Sequence, residues 1–179
     1  MFEHTRLRVG TSYAQFHFRS TREPVVRFTE AISVAKQPIV FLPEIPEEAS
    51  AVDMVLKFFV QRFHTSKVTL VARKEILSRL PDHRSFPLVT FSAEELNVWY
   101  LPKSDLLRKV KKSTFDVAFD LNIRVALPSS FLCRASQAPL RIGFVKPNAD
   151  CFYNFQVQTG PSNNCVQVYS QLLKCIEMF

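Results

Sequence analysis

Glycine is scarce: the 179 residues hold three, Gly10, Gly143 and Gly160. Close backbone approach to a phosphate or dinucleotide depends on glycine-rich strand-to-helix turns. With no glycine expected in such a turn, the fingerprints of that chemistry are absent and no cofactor is expected. Cysteine is limited to Cys133, Cys151, Cys165 and Cys175, widely spaced. That excludes a zinc knuckle and a disulfide scaffold and predicts reduced, mostly buried thiols. His17 reads as a lone surface imidazole. His64 and His83 lie in predicted loops without a metal-ligating partner at useful spacing. No apolar run approaches the about 18 residues of a membrane span, and the opening MFEHTRLRVG is charged where a signal peptide would be apolar. A cytoplasmic chain without a transmembrane segment is expected, with peripheral membrane contact left open. Repeats and low-complexity tracts are missing. The basic residues are dispersed and match neither a recognition helix nor an aromatic RNA-binding pattern, which argues against nucleic acid. No nucleophile elbow surrounds Ser129 or Ser130, and Cys133 has Arg134 beside it but no nearby histidine to act as base.

What the chain does have is apolar mass: 47% hydrophobic residues with 17 phenylalanines, enough for a substantial core, and a formal net charge of +7 compatible with solubility alone. Short apolar runs alternate with helical spacing. Strands are predicted over 38–43, 67–72, 86–91, 115–121 and 139–144, with 151–158 added at an edge. Between them, helices are predicted over 49–63, 74–80, from Ser104 as N-cap to Lys112, over a short stretch around Cys133, and from 162–164 to the end, where Val166, Tyr169, Leu173 and Ile176 share a face. Such alternation requires right-handed crossovers and hence a mainly parallel α/β sheet with helices on both faces, a three-layer Rossmann-like fold. Ahead of it, residues 1–36 form an N-terminal extension. Arg6–Val9 and Ala14–Phe18 are predicted as a hairpin turning at Gly10, and a short helix is expected from Pro24 to Ala35. Residues 37–179 then make up a single domain. The irregular 92–101, with Trp99 and Tyr100, is expected to cover an edge or the end of the sheet.

The centre of this organisation is 115–144, FDVAFDLNIRVALPSSFLCRASQAPLRIGF. Asp120 and Asn122 fall at the carboxyl end of its first strand, the edge where open α/β sheets form ligand crevices. Two readings stand side by side: they face a ligand, or they close the turn after the strand with their own hydrogen bonds. Glu47 and Glu48, beyond the first central strand, read either as solvated charges in a helix's first turn or as carboxylates of a site.

Phe115-Asp116, Phe119-Asp120-Leu121, Ser129-Ser130, Ala135, Ala138-Pro139 and Arg141-Ile142-Gly143-Phe144 together resemble the end of the N-terminal domain of the ADP-heptose:lipopolysaccharide heptosyltransferases, the family 9 glycosyltransferases. The resemblance implies one half of a two-domain GT-B fold and a link to cell-envelope sugars. It also implies a sugar or phosphorylated sugar acceptor, or a protein partner, as what the chain meets. Asp120, Asn122 and Arg141 would contact the acceptor. Glu47, Glu48 or Asp120 would take the place of the family's catalytic carboxylate. The chain departs from the family pattern at two points. Asn122-Ile123 stands where Gln-Gly is usual, and the first strand-to-helix turn reads Pro-Glu-Glu-Ala-Ser in place of the Gly-Asp pair that includes the proposed base. A divergent module without activity of its own is therefore expected, since the family continues into a donor-binding second half. An acceptor-binding subunit paired with a separate donor domain is the alternative.

Overall fold

The computed structural model describes residues 2–20, 25–63, 67–160 and 164–178. Its centre is a six-stranded sheet in the order β3-β2-β1-β4-β5-β6. The strands are β1 (Pro38–Phe41), β2 (Thr69–Arg73), β3 (Leu88–Phe91), β4 (Val117–Asp120), β5 (Leu140–Phe144) and β6 (Phe155–Val157). All neighbouring pairs are parallel. The expected fold is thus the observed one, with the 155–157 strand at the edge. The chain enters at β1, runs outward through β2 and β3, then returns to pair β4 on the other side of β1. That reversal places a topological switch point between β1 and β4, where a crevice opens at the carboxyl ends of the strands.

Burial explains why these runs are strands. Every residue of β1, β4 and β5 is buried, as a parallel sheet covered on both faces requires. Alternate side chains feed two cores. Val40, Leu70, Val117, Phe119 and Ile142 point to one, packed beneath α2 (Phe28–Ser33), α4 (Asp53–Arg62) and α7 (Cys165–Glu177). Ile39, Phe41, Val71 and Ala118 point to the other, beneath α1 (Phe2–Phe18), α5 (Ser104–Lys111) and α6 (Leu127–Ala135). Phe119 meets Phe59 edge-on with centroids 4.9 Å apart, a favourable aromatic geometry.

Several local expectations are corrected. The predicted hairpin at 6–18 is one continuous helix, α1. Gly10 makes no turn there: a Cβ at this position would lie 2.2 Å from the Trp99 carbonyl oxygen and 2.8 Å from Leu127 Cδ2. It lets α1 press onto its neighbours, and that tertiary contact overrides the local strand-like alternation. Of the helix expected from Pro24, Phe28–Ser33 is helical, and the start at the proline lies outside the described residues. The helix expected over 49–63 is interrupted at Ala51 and Val52, giving α3 (Pro46–Ser50) and then α4. Ser104 is the first helical residue of α5 with Lys103 in the cap position, and no side chain caps it. The cap of α7 is Asn164, whose side chain accepts from Val166 N at 2.9 Å. Val166 is half exposed, and the buried stripe is Val168, Tyr169, Leu172 and Ile176. Gly160, expected outside any strand-to-helix turn, lies in the β6-to-α7 connection.

Candidate functional site

The connections after β1, β2, β3, β4 and β5 all leave the carboxyl edge of the sheet. The first polar residue beyond the apolar run of β1 is Glu44, and it sits at the start of α6. Its Oε1 accepts from the Ser129 hydroxyl at 2.7 Å and from Ser129 N at 3.3 Å. A carboxylate from a different loop thereby satisfies a free amide in the first turn of α6, where helix dipole and amide both favour negative charge. Its Oε2 receives Arg73 Nη1 at 3.4 Å. Arg73 closes β2, and its buried Nε lies 3.5 Å from Glu75, an ion pair without hydrogen-bond geometry among the described residues. Burial raises the Glu44 pKa above its ordinary value, against the opposing pull of Ser129 and Arg73.

Glu44 and Arg73 line a cleft of about 390 Å³. Leu127 and Pro128 of α6, Asn97 and Tyr100 of the 92–102 segment, and His4 and Arg6 of α1 complete its walls. The N-terminal helix is thus a wall of the cleft. Arg6 stacks over the Tyr100 ring, 4.7 Å from its centroid. The 92–102 segment is held by Ser92 and Glu95 in a capping box and by Asn97, whose Oδ1 accepts from Trp99 N and Leu101 N. Tyr100 takes a positive φ of 61°.

Asp120 and Asn122 do not line the cleft and are sealed in, each 1% exposed. Asp120 Oδ1 accepts from Asn122 N at 3.0 Å and from Asn122 Nδ2 at 2.6 Å. Its Oδ2 accepts from the Tyr153 hydroxyl and, at 3.3 Å, from Ser130, with Lys146 Nζ 3.6 Å away. Lys146 also donates to Asn122 O at 2.7 Å. Burial, with the Asp120 charge added, pushes the Tyr153 hydroxyl well up, so it stays protonated and donates. Asn122 ties β4 to β1: Oδ1 accepts from Glu44 N at 2.8 Å and Nδ2 donates to Leu42 O at 3.4 Å. Arg141, in β5, is also buried. It donates to the backbone carbonyls of Phe152 and Ala138 at 3.0 and 2.7 Å, outside the cleft.

Glu47 and Glu48 separate. Glu47 is exposed on α3, as its solvated reading expects, whereas Glu48 is 2% exposed. Its Oε2 accepts from Ile123 N at 3.0 Å, clamping the loop after β4, and desolvation raises its pKa. Its Oε1 is buried, 3.9 Å from Arg124 and without a hydrogen-bond partner among the described residues. The structure therefore brings Asp120 and Asn122 together, leaves Glu48 on the far side of the β4 loop, and keeps Arg141 apart. Glu44, Arg73, Lys146 and Tyr153 were not singled out from the sequence. The signal for the first two was the same strand-end position that drew attention to Asp120. Among the described residues, no group of three or more metal-ligating side chains gathers. Cys133 is buried and its thiol is pushed well up by desolvation, the opposite of an activated nucleophile.

No protein-family model matches the chain, and no curated protein matches it in sequence. Among solved structures, a family 9 glycosyl transferase from Veillonella parvula superposes with a TM-score of 0.56 at 13% identity. The match covers 76% of this chain and 41% of that one, so the chain spans well under half of its neighbour's length. The all-parallel sheet flanked by helices is accordingly the Rossmann-like α/β fold, in an arrangement that a family 9 glycosyl transferase shares.

Proposed function

We propose that the chain is a divergent heptosyltransferase-like N-terminal domain. In this reading it works as a binding or structural module on cell-envelope sugars at the cytoplasmic side and does not transfer a sugar by itself. Residues 1–36 are its N-terminal extension and 37–179 its Rossmann-like domain. The observation that carries the reading is the division of the carboxyl edge. Asp120 and Asn122 spend their hydrogen-bonding groups on each other, Tyr153, Lys146 and Glu44 N, while the open cleft beside them offers Arg73 and Asn97 to a ligand. The Arg73 guanidinium is held only by long contacts, 3.4 Å to Glu44 and 3.5 Å from Nε to Glu75, and this favours an anionic or hydroxyl-rich occupant, such as a sugar or phosphorylated sugar. Glycosyl transfer also needs the donor's leaving pyrophosphate to be stabilised, usually by close backbone amides or basic side chains. Gly10 lies within α1 and Gly143 within β5, and Gly160, in the β6-to-α7 connection, is not among the residues lining the cleft.

A second reading, an acceptor-binding subunit with a separate donor domain, draws support from Glu44. It is a carboxylate with a raised pKa at the end of β1, in the cleft, suited to accepting a proton from an acceptor hydroxyl. Calorimetry and a product assay separate the two. The module reading expects no saturable binding of ADP-sugars, weak saturable binding of a phosphorylated heptose, and no product on heptose-deficient lipopolysaccharide core. Turnover with a nucleotide-sugar that is lost in Glu44→Gln would reject it in favour of the second reading.

A further inference from the structure

α1 is apolar on two faces. At about 100° per residue, Leu7, Gly10 and Ala14 fall on the side packed against α6 and the 97–102 segment. Phe2, Val9, Tyr13 and Phe16 form a second stripe turned well away from it. Leu7 belongs to the core, and Gly10 and Ala14 are buried. The second stripe faces water: Phe2 is 84% and Phe16 76% exposed, and Tyr13 and Val9 are about half exposed. The stripe continues off the helix. Val9 and Tyr13 border a shallow groove whose opposite lip is Trp99 and Leu107, with Val98 and Trp99 exposed beside it. Isolated surface apolar side chains are ordinary, but a contiguous aromatic patch marks an interaction surface.

The rim of this patch is positive on both sides. Arg8 and Arg19 lie beyond the stripe on the helix side, exposed. Across the groove, Lys103, Leu107 and Lys111 share one face of α5 at spacings of four, with both lysines exposed. Among the described residues, no acidic residue interrupts the stripe: Glu3 is the only one in α1 and turns toward the cleft, and Asp105 is paired with Arg108. Aromatic rings in a row with lysine and arginine at their margins are the chemistry of an interfacial helix on an anionic bilayer. There the rings enter the headgroup boundary and long basic stems reach phosphate. A protein partner of similar size would need matching acidic residues, whereas an anionic membrane supplies that charge everywhere. We propose that α1 and the facing 97–107 segment dock this protein on an anionic membrane surface, with Phe2, Tyr13, Phe16 and Trp99 as the inserted groups. α1 is at once the inner wall of the cleft and the outer membrane face, so docking would hold the cleft close to the lipid headgroups. The inference does not depend on the proposed function.

Trp99 is the only tryptophan, so its emission reports on this surface alone. Full-length protein is titrated with phosphatidylcholine vesicles, with and without phosphatidylglycerol, and binding is followed by Trp99 emission and co-sedimentation. A blue shift and sedimentation are expected with the anionic vesicles only. Glycerophosphoglycerol, the soluble headgroup, should not compete, which separates a bilayer from a headgroup site. Phe2→Ser/Phe16→Ser should abolish sedimentation with an unchanged thermal transition, because both rings lie in solvent. Arg8→Gln and Lys111→Gln should each weaken binding by about fivefold. An unshifted Trp99 with anionic vesicles, an undiminished response in Phe2→Ser/Phe16→Ser, or a sedimentation-velocity dimer abolished by that same variant would overturn the proposal.

Discussion

Two stretches of the same sheet edge, both at strand carboxyl ends, have opposite fates. At the ends of β4 and β5, Asp120 and Lys146 are closed in by Tyr153, Ser130 and Asn122, with side-chain exposures of 0% and 5%. At the ends of β1 and β2, Glu44 and Arg73 are also paired, across 3.4 Å, but at the floor of an open cleft with the Arg73 side chain 28% exposed. A strand-end carboxylate thus becomes internal structure or a ligand group according to what covers it. Tyr153, brought by the segment before β6, seals the first. α1 and the 92–102 segment stand back from the second and leave space. A fully buried pair is costly to break, while one with an exposed partner contributes less and can be redirected to a ligand.

The sharpest way to break this contrast is Asp120→Ala. It leaves the Lys146 ammonium buried against Tyr153, whose ring centroid lies 5.1 Å away, without the counter-charge nearest to it. A loss of about 3–5 kcal/mol is expected in urea unfolding. A loss within the range of an ordinary surface substitution would mean that the pair is open to water and that the two stretches are alike.

A smaller effect distinguishes the carboxylates by pH. Glu44 and Glu48 are both raised, by burial, above an ordinary value of 4.5. Between that value and the raised ones, the native chain holds more protons than the unfolded chain, so stability is full on the acid side and falls as pH climbs through the raised values. Glu48→Gln keeps an oxygen to accept from Ile123 N and removes one desolvated charge. Its unfolding midpoint should decline less steeply with pH than that of the parent, and a parallel pair of profiles would show that Glu48 is solvated.

The smallest stability change is expected for Arg73→Ala, about 1 kcal/mol or less, since Arg73 is partly exposed. Calorimetry on the same variant should nevertheless lose the binding of a phosphorylated heptose. Retained binding would move the ligand away from this cleft. Arg73 lowers the Glu44 pKa by its charge, so removing it should raise the Glu44 titration further, readable by carboxyl NMR.

Much of the architecture was legible because it rests on local pattern. Apolar runs such as PIVF and TLVA, separated by helical spacing, can be satisfied only by parallel strands with both faces covered. The N-terminal region was misread for a physical reason. The short alternation around Phe16 and Phe18 mimics a strand, and Gly10 in a sequence reads as a turn, while its actual use is a contact 89 residues away with Trp99. The split between α3 and α4 was similarly hidden, since Val52, Val55, Leu56 and Phe59 continue one buried stripe across it.

The sequence by itself determined which segments must be strands, that the sheet is parallel, and that Asp120 and Asn122 stand at a carboxyl edge. Those follow from periodicity and chain direction, which are properties of neighbouring residues. Only the tertiary structure decided that Glu48 is buried and Glu47 is not, that Glu44 reaches Ser129 and Arg73, and that Tyr153 closes over Asp120. Each of these depends on which distant loop arrives beside a given strand end, and the electrostatics of a carboxylate are set by that arrival.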